Sequence, residues 1–202
     1  MRKFFYPLGF ATLLVFFVLL IFYQDDPLVK FDQQMGDLLR GNNFIVAFQV
    51  LGSTKFVFII TLLFIIYLWV KSHNYRAMLF VLLTVGVGNA LNQLLKRWIQ
   101  RERPDVLDQL TTYSFPSGHA MVGLLYLLTF AYLITEVLKK KSWKFVVWIA
   151  AITLAVLIGL SRIAGERHYA TDVLAGWMAG YTWFVVVALW YEYRKTGKFL
   201  NG

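Results

Sequence analysis

An all-α bundle of six membrane-spanning helices is the fold class this sequence predicts. Three observations predict it. Of 202 residues, 59% are hydrophobic and only 15% are charged. The apolar residues fall into six runs near the length of a bilayer crossing, and lysines and arginines gather at the ends of those runs. A water-soluble domain of this size has too little interior to hide so much apolar surface. Unpaired backbone groups are costly in lipid, so each run is read as a helix.

The runs are 5–23, 54–70, 77–95, 119–138, 145–160 and 173–191. About 20 helical residues at about 1.5 Å each cross about 30 Å of hydrocarbon, and most of the runs approach that. The first is too long for a signal-peptide core, and Ile21-Phe22-Tyr23 is no small-residue cleavage site, so it reads as an anchor. The segment 24–53 is too polar at its start to cross. Its second part, Phe44 to Leu51, reads either as an interfacial helix in the headgroup region or as an early, tilted start of the second span. The fifth run is short, with a helix that can begin near Trp143 or pass Leu160. Gly176 and Gly180 in the sixth run, with Gly86 and Gly88 in the third, permit close helix approach, read as packing within one chain. With no repeat, low-complexity stretch or separate soluble segment, 1–202 reads as one integral membrane domain.

Six spans put both termini on one side. That side holds Arg2, Lys3, Lys71, Arg76, Lys139, Lys140, Lys141, Lys144, Arg194, Lys195 and Lys198 against only Glu136 and Glu192, so the whole net charge of +9 sits on one face. The positive-inside rule makes that face cytoplasmic and sets the polar loops after the third and fifth runs outside. The basic excess is thus read as topology, with no nucleic-acid partner. Cysteine is absent, which excludes disulfides and thiolate metal sites.

Three polar blocks lie between the apolar runs. The first, Lys96-x6-Arg103-Pro104, supplies two cations. Arginine suits bidentate phosphate contact and lysine acts as a point charge. The second, Pro116-Ser117-Gly118-His119, opens the fourth run. Ser117 is a natural N-cap, Gly118 allows close backbone approach, and the free N–H groups of a helix start favour a phosphate beside His119. The third is Ser161-Arg162-x5-His168-x3-Asp172. If the sixth helix begins near His168, then His168 and Asp172 share a face one turn apart. The carboxylate then fixes the imidazole tautomer and frees the other nitrogen to act as nucleophile. Arg162 can return to the same phosphate across the loop. Each block alone is also compatible with ordinary interfacial cations and helix caps. Arg97 and Arg101 read as interface anchors.

In this order and spacing the blocks resemble the type 2 phosphatidic acid phosphatase superfamily, membrane relatives of class A acid phosphatases and vanadium haloperoxidases. Eleven residues between 96 and 172 match its pattern. The resemblance implies that His168 attacks phosphorus to form a phosphohistidine, that Asp172 orients it, and that His119 protonates the leaving oxygen. It implies phosphate binding by Lys96, Arg103, Arg162, Ser117 and Gly118, and catalysis with no metal or other cofactor. Among bacterial members, the compact six-span build resembles the branch acting on phosphatidylglycerophosphate. The substrate is then a lipid phosphate reached from the bilayer, with broad specificity expected and undecaprenyl pyrophosphate the close alternative. A lipid-phosphate transporter or binding protein is the different-class reading, but mere binding has no use for paired imidazoles, and transporter sites usually lie nearer the midplane.

Overall fold

The computed structural model describes residues 2–105 and 112–196, with side chains for 7–105 and 112–195. Lys198 and the side chains of Arg2 and Lys3, counted among the flanking cations, lie outside the described residues. Helix α1 spans Arg2–Phe22, α2 Asp26–Leu39 and α3 Asn43–Ala47, followed by a 3-10 turn at Phe48–Gly52. Helix α4 spans Thr54–Ser72. The next span is α5 (Tyr75–Val81), a π-helical segment (Leu82–Val87) and α6 (Gly88–Ile99) in continuous succession. Then come α7 (Gly118–Val137), α8 (Lys141–Ala164) and α9 (Ala170–Thr196). The described residues contain no strand.

Five of these helices are long and apolar enough to cross a membrane. A sixth crossing requires α1, which meets α2 at a bend of 100°. The bend falls where Gln24, Asp25 and Asp26 end the apolar run and Pro27 starts a new helix, a position where proline loses no helical hydrogen bond. Asn42 Oδ1 accepts from Ile45 N at 3.1 Å, so α3 begins with its own cap. Ser53 is extended (φ −67°, ψ 144°) and its Oγ accepts from Phe56 N at 3.4 Å. Residues 44–51 are therefore a separate short helical segment. They are not an early start of the second span, because Ser53 breaks the helix before α4.

Helix α7 is the most enclosed of the spans and α4 the most exposed. Phe80, Met121, Leu125, Ile158 and Phe184 are wholly or almost wholly buried in the core around α7. Outward-facing Phe58, Val70 and Phe145 are each at least 65% exposed, an apolar belt that makes sense against lipid rather than water. Within the core, Thr129 donates to Thr84 Oγ1 at 2.9 Å, so both hydroxyls are paired.

Glycines set the closest helix contact. A Cβ on Gly176 would stand 2.7 Å from Ser117 O, and one on Gly180 would stand 3.1 Å from Met121 O, so both face α7 of the same chain. Gly88 likewise meets Leu125, at 2.4 Å. Gly86 differs from expectation: nothing lies within 4 Å of its Cβ position. It lines a cavity beside the π-helical segment instead of packing against another helix.

Gly176→Ala is expected to force α7 from α9 and to destabilise the protein by about 1–3 kcal/mol. Gly86→Ala is expected to stay within about 1 kcal/mol of the parent. Thermal unfolding of both variants in the same detergent checks the pair.

Candidate active site

The three sequence blocks converge at one end of the bundle. Lys96, Arg103, Gly118, His119, Arg162 and His168 line a single cavity of about 490 Å³. It contains three cationic side chains and, among the described residues, no carboxylate in its lining. A second cavity of about 880 Å³ touches the back of His168, but Asp32, Asp37, Glu102 and Glu166 line it along with Arg40 and Arg101. An oxyanion would fit the first better, where the described lining sets preorganised cations against no carboxylate.

Lys96 sits in the last turn of α6 and is 5% exposed. Its ammonium donates to Ser114 O at 3.2 Å and to Tyr113 O, which fixes it beneath the loop. Arg103 follows in that loop. It donates through Nε to Thr112 O (2.6 Å) and through Nη1 to Arg167 O (2.6 Å), and burial draws its guanidinium below the usual range. Arg162 closes α8 and donates to Gln49 Oε1 at 3.1 Å, while its buried Nε has no partner among the described residues. A buried guanidinium donor left free is costly, and an anion in the cavity would satisfy it.

The imidazole of His168 is 4% exposed residue by residue, and its two nitrogens meet different partners. Arg103 Nη1 lies 3.2 Å from Nε2. A guanidinium can only donate, so Nε2 must accept, and the ring proton belongs on Nδ1. Asp172 Oδ2 stands 3.4 Å from Nδ1 to receive it. Burial, followed by the charges of Lys96, Arg103 and Arg162, pushes the His168 imidazole well below its ordinary range and keeps it neutral. A neutral ring with a lone pair on Nε2 is the nucleophilic form.

The His168–Asp172 pairing arises differently from the shared helical face. Helix α9 starts at Ala170, so His168 belongs to the preceding turn. The Arg162 carbonyl accepts from both Arg167 N (2.9 Å) and His168 N (3.2 Å), which curls the chain. Asp172 Oδ2 also accepts from Tyr169 N at 2.9 Å, holding the loop to the first turn of α9.

Ser117 takes the N-cap position of α7, but its Oγ makes no cap bond. That oxygen is buried without a partner among the described residues, and Ser117 N instead donates to Asp172 O at 2.9 Å. The second and third blocks are thereby joined through the backbone. His119, partly buried, packs its ring over the 3-10 turn, where a Cβ on Gly52 would come within 2.9 Å of the His119 Cδ2.

Sequence reasoning missed several residues here. Gln49 holds Arg162, and Asn92 Nδ2 donates to Pro116 O at 3.1 Å, bracing the second block. Arg101 is the main correction. It is no interface anchor: Nη1 donates to Asp172 Oδ1 and Thr171 Oγ1, both at 2.7 Å, and Nη2 to Asp32 Oδ2 at 2.9 Å. Arg97 remains exposed as expected. Asp32 carried one usable signal, an acidic residue amid the apolar positions of an amphipathic helix. Gln49 and Asn92 carried none.

Residues 77–196 match the model of the PAP2 superfamily, more than half of the chain, and the protein belongs to that superfamily. Phosphatidylglycerophosphatase B of Bacillus subtilis is 40% identical over 112 residues, covering 54% of this chain and 55% of that protein. An undecaprenyl-diphosphatase of Sulfolobus acidocaldarius is 40% identical over 70 residues, covering 35% of this chain and 30% of the relative. These alignments span about half or less of the relatives' own lengths. The crystal structure of a transmembrane PAP2-type phosphatidylglycerolphosphate phosphatase from Bacillus subtilis superposes with a TM-score of 0.84 at 28% identity, covering 94% of this chain and 98% of that one.

Titration of the purified protein with inorganic phosphate is expected to show Arg103→Ala and Arg162→Ala each weakening Kd by about tenfold or more, as for charge-assisted hydrogen bonds. Arg97→Ala is expected to stay within about twofold of the parent.

Proposed function

We propose that this protein is an integral membrane lipid phosphate phosphatase that hydrolyses phosphatidylglycerophosphate to phosphatidylglycerol and also accepts other lipid phosphates. The carrying observation is the two-part cavity. One end holds three cations and two imidazoles; the remainder is walled by Val57, Phe58, Leu62 and Ile65 of α4 with Leu82 and Val85 of the π-helical span. A phosphate can dock at the polar end while its hydrocarbon lies along the apolar wall.

The chemistry follows from the placement of the residues. Phosphate oxygens take over the donors of Lys96, Arg103, Arg162 and the Gly118 N–H, with Ser117 beside them. The Nε2 lone pair of His168 attacks phosphorus as the bond from phosphorus to the lipid oxygen breaks. Asp172, paired to Nδ1–H, stabilises the positive ring that forms. His119 serves as the acid and gives a proton to the leaving oxygen. Water then attacks the phosphohistidine, His119 accepts its proton, and inorganic phosphate is released. No step calls for a metal or another cofactor.

Three further groups favour a glycerolipid. Gln93 and Asn89 line the same cavity about one and two helical turns before Lys96, and Thr61 faces them from α4 with its Oγ1 unpartnered. Hydrogen-bonding groups at that distance from the phosphate suit ester and hydroxyl oxygens of a glycerol backbone. Undecaprenyl pyrophosphate is the second reading, favoured by the similarity to an undecaprenyl-diphosphatase and by the length of the apolar wall. We place the site on the outer face of a bacterial cell membrane with both termini cytoplasmic. Lys71, Arg76, Lys141, Lys144, Arg194 and Lys195 lie at helix ends opposite those that carry Lys96, His119 and Arg162.

Phosphate release in excess EDTA tests the reading, with phosphatidylglycerophosphate, undecaprenyl pyrophosphate and phosphatidic acid as substrates. Release by the parent is expected to survive the chelator and to vanish in His168→Ala, and the ranking of rates identifies the substrate. His119→Ala should be far less damaging where the leaving group needs no proton; equal losses for good and poor leaving groups would contradict its role as acid. The depressed His168 keeps its lone pair as pH falls, so the enzyme's acid limb in kcat/KM belongs well below the ordinary imidazole value of about 6.5. A limb at that ordinary value, after correction for substrate ionisation, would remove His168 as the neutral nucleophile.

A further inference from the structure

The mechanism above leaves Arg101 and Asp32 unused, yet they form a closely bonded polar cluster beside the site. Arg101 bridges Asp172 Oδ1 and Asp32 Oδ2 at 2.7 and 2.9 Å. Asp32 returns two bonds to the start of α9: its Oδ1 accepts from Thr171 N and its Oδ2 from Thr171 Oγ1, both at 2.7 Å. The guanidinium lies over the rings of Tyr23 and Tyr169, 4.7 and 4.1 Å from their centroids. Asp172 is completely buried, and its other oxygen serves His168.

We propose that Arg101, held by Asp32 of α2, is a positioning residue that keeps Asp172 ionised and turned toward His168, and so, together with the Arg103 donor at Nε2, sets the imidazole tautomer needed for attack. This rests on the phosphohistidine reading. Two carboxylates share one guanidinium in a place nearly closed to water. Removing the guanidinium leaves two buried negative charges without the partner they share, offset only by the more distant charges of Lys96 and Arg103 and by the donors of Tyr169 and Thr171. The cheapest relief is a proton on one of them. An Asp172 that has taken a proton can donate to Nδ1. An imidazole accepting at Nδ1 carries its proton on Nε2, the atom that must attack phosphorus. The nucleophile is then blocked although every motif residue is still present.

Neither residue lines the cationic cavity, which separates this role from phosphate binding. Helix α2 does not cross the membrane on its own, so its buried Asp32 ties a peripheral helix to the reaction centre. A packing role alone would not require Arg101 to reach both carboxylates at once.

Protein labelled with nitrogen-15 at histidine tests the proposal directly, because the chain has only three histidines. At neutral pH the parent is expected to show His168 as the Nδ1–H tautomer. Arg101→Gln is expected to move that signal toward the Nε2–H form while those of His73 and His119 stay in place. In parallel, kcat should fall about tenfold to a hundredfold, as for a misdirected reacting group. The inhibition constant for inorganic phosphate should stay within about threefold. Asp32→Asn, which keeps the guanidinium but loosens it, should show the same changes to a smaller extent and serves if Arg101→Gln does not fold. Arg101→Lys should restore part of kcat by restoring the charge. An unchanged tautomer, a kcat within twofold of the parent in both Arg101→Gln and Asp32→Asn, or a loss of phosphate affinity in step with kcat would each overturn the proposal. If the parent releases no phosphate from any lipid, the proposed function fails, while the tautomer measurement still decides what Arg101 does.

Discussion

The close approach of α7 and α9 is the constraint on which the catalytic end depends. Gly176 and Gly180 let the two backbones meet, and Ser117 N then reaches Asp172 O. That single backbone bond joins the turn carrying Gly118 and His119 to the turn carrying His168 and Asp172. Side chains larger than hydrogen at those glycines would push the two motif blocks apart before any catalytic residue was altered. The precision of the site therefore comes from a rigid helix pair, with α8 supplying Arg162 from its last turn and α6 supplying Lys96 from its own.

Charge separation organises what surrounds that pair. The cations that can reach a phosphate line one cavity with no carboxylate among its described residues, whereas Asp32, Asp37, Glu102 and Glu166 lie behind His168 in the neighbouring cavity. The imidazole forms the wall between them, with Arg103 on one nitrogen and Asp172 on the other. Burial and the surrounding cations keep the ring neutral. The same arrangement that would bind an anion in the proposed reaction thus preserves the lone pair of His168, and a separate guanidinium, Arg101, pairs with the buried carboxylate on the far side.

The segment between α1 and α4 covers the site. Helix α2 pins the start of α9 through Asp32 and Thr171. The α3 and 3-10 segment sets Gln49 against Arg162 and leaves room for His119 over Gly52. Gly41 N donates to Ala164 O at 3.3 Å, fastening the connecting turn to the end of α8. The exposed pair between Arg40 and Glu166 lies beside it and adds little by itself.

Sequence alone determined the helical, membrane-spanning class, the approximate bounds of every long helix, and the residues of the three blocks. Those properties are local: hydropathy over a bilayer's thickness needs no partner, and Lys96, Arg103, His119, Arg162, His168 and Asp172 stand at telling spacings along the chain. Only the tertiary structure decided that residues 44–51 form their own short helical segment, since their hydropathy reads equally as an interfacial helix or as an early, tilted start of the second span. Only the folded chain promoted Arg101 from anchor to buried bridge, because its partners lie 69 and 71 positions away. Gln49 is 113 positions from the arginine it holds. Pairings at such separations are set by which helix faces pack together, and hydropathy and motif spacing along one chain do not encode that rotation.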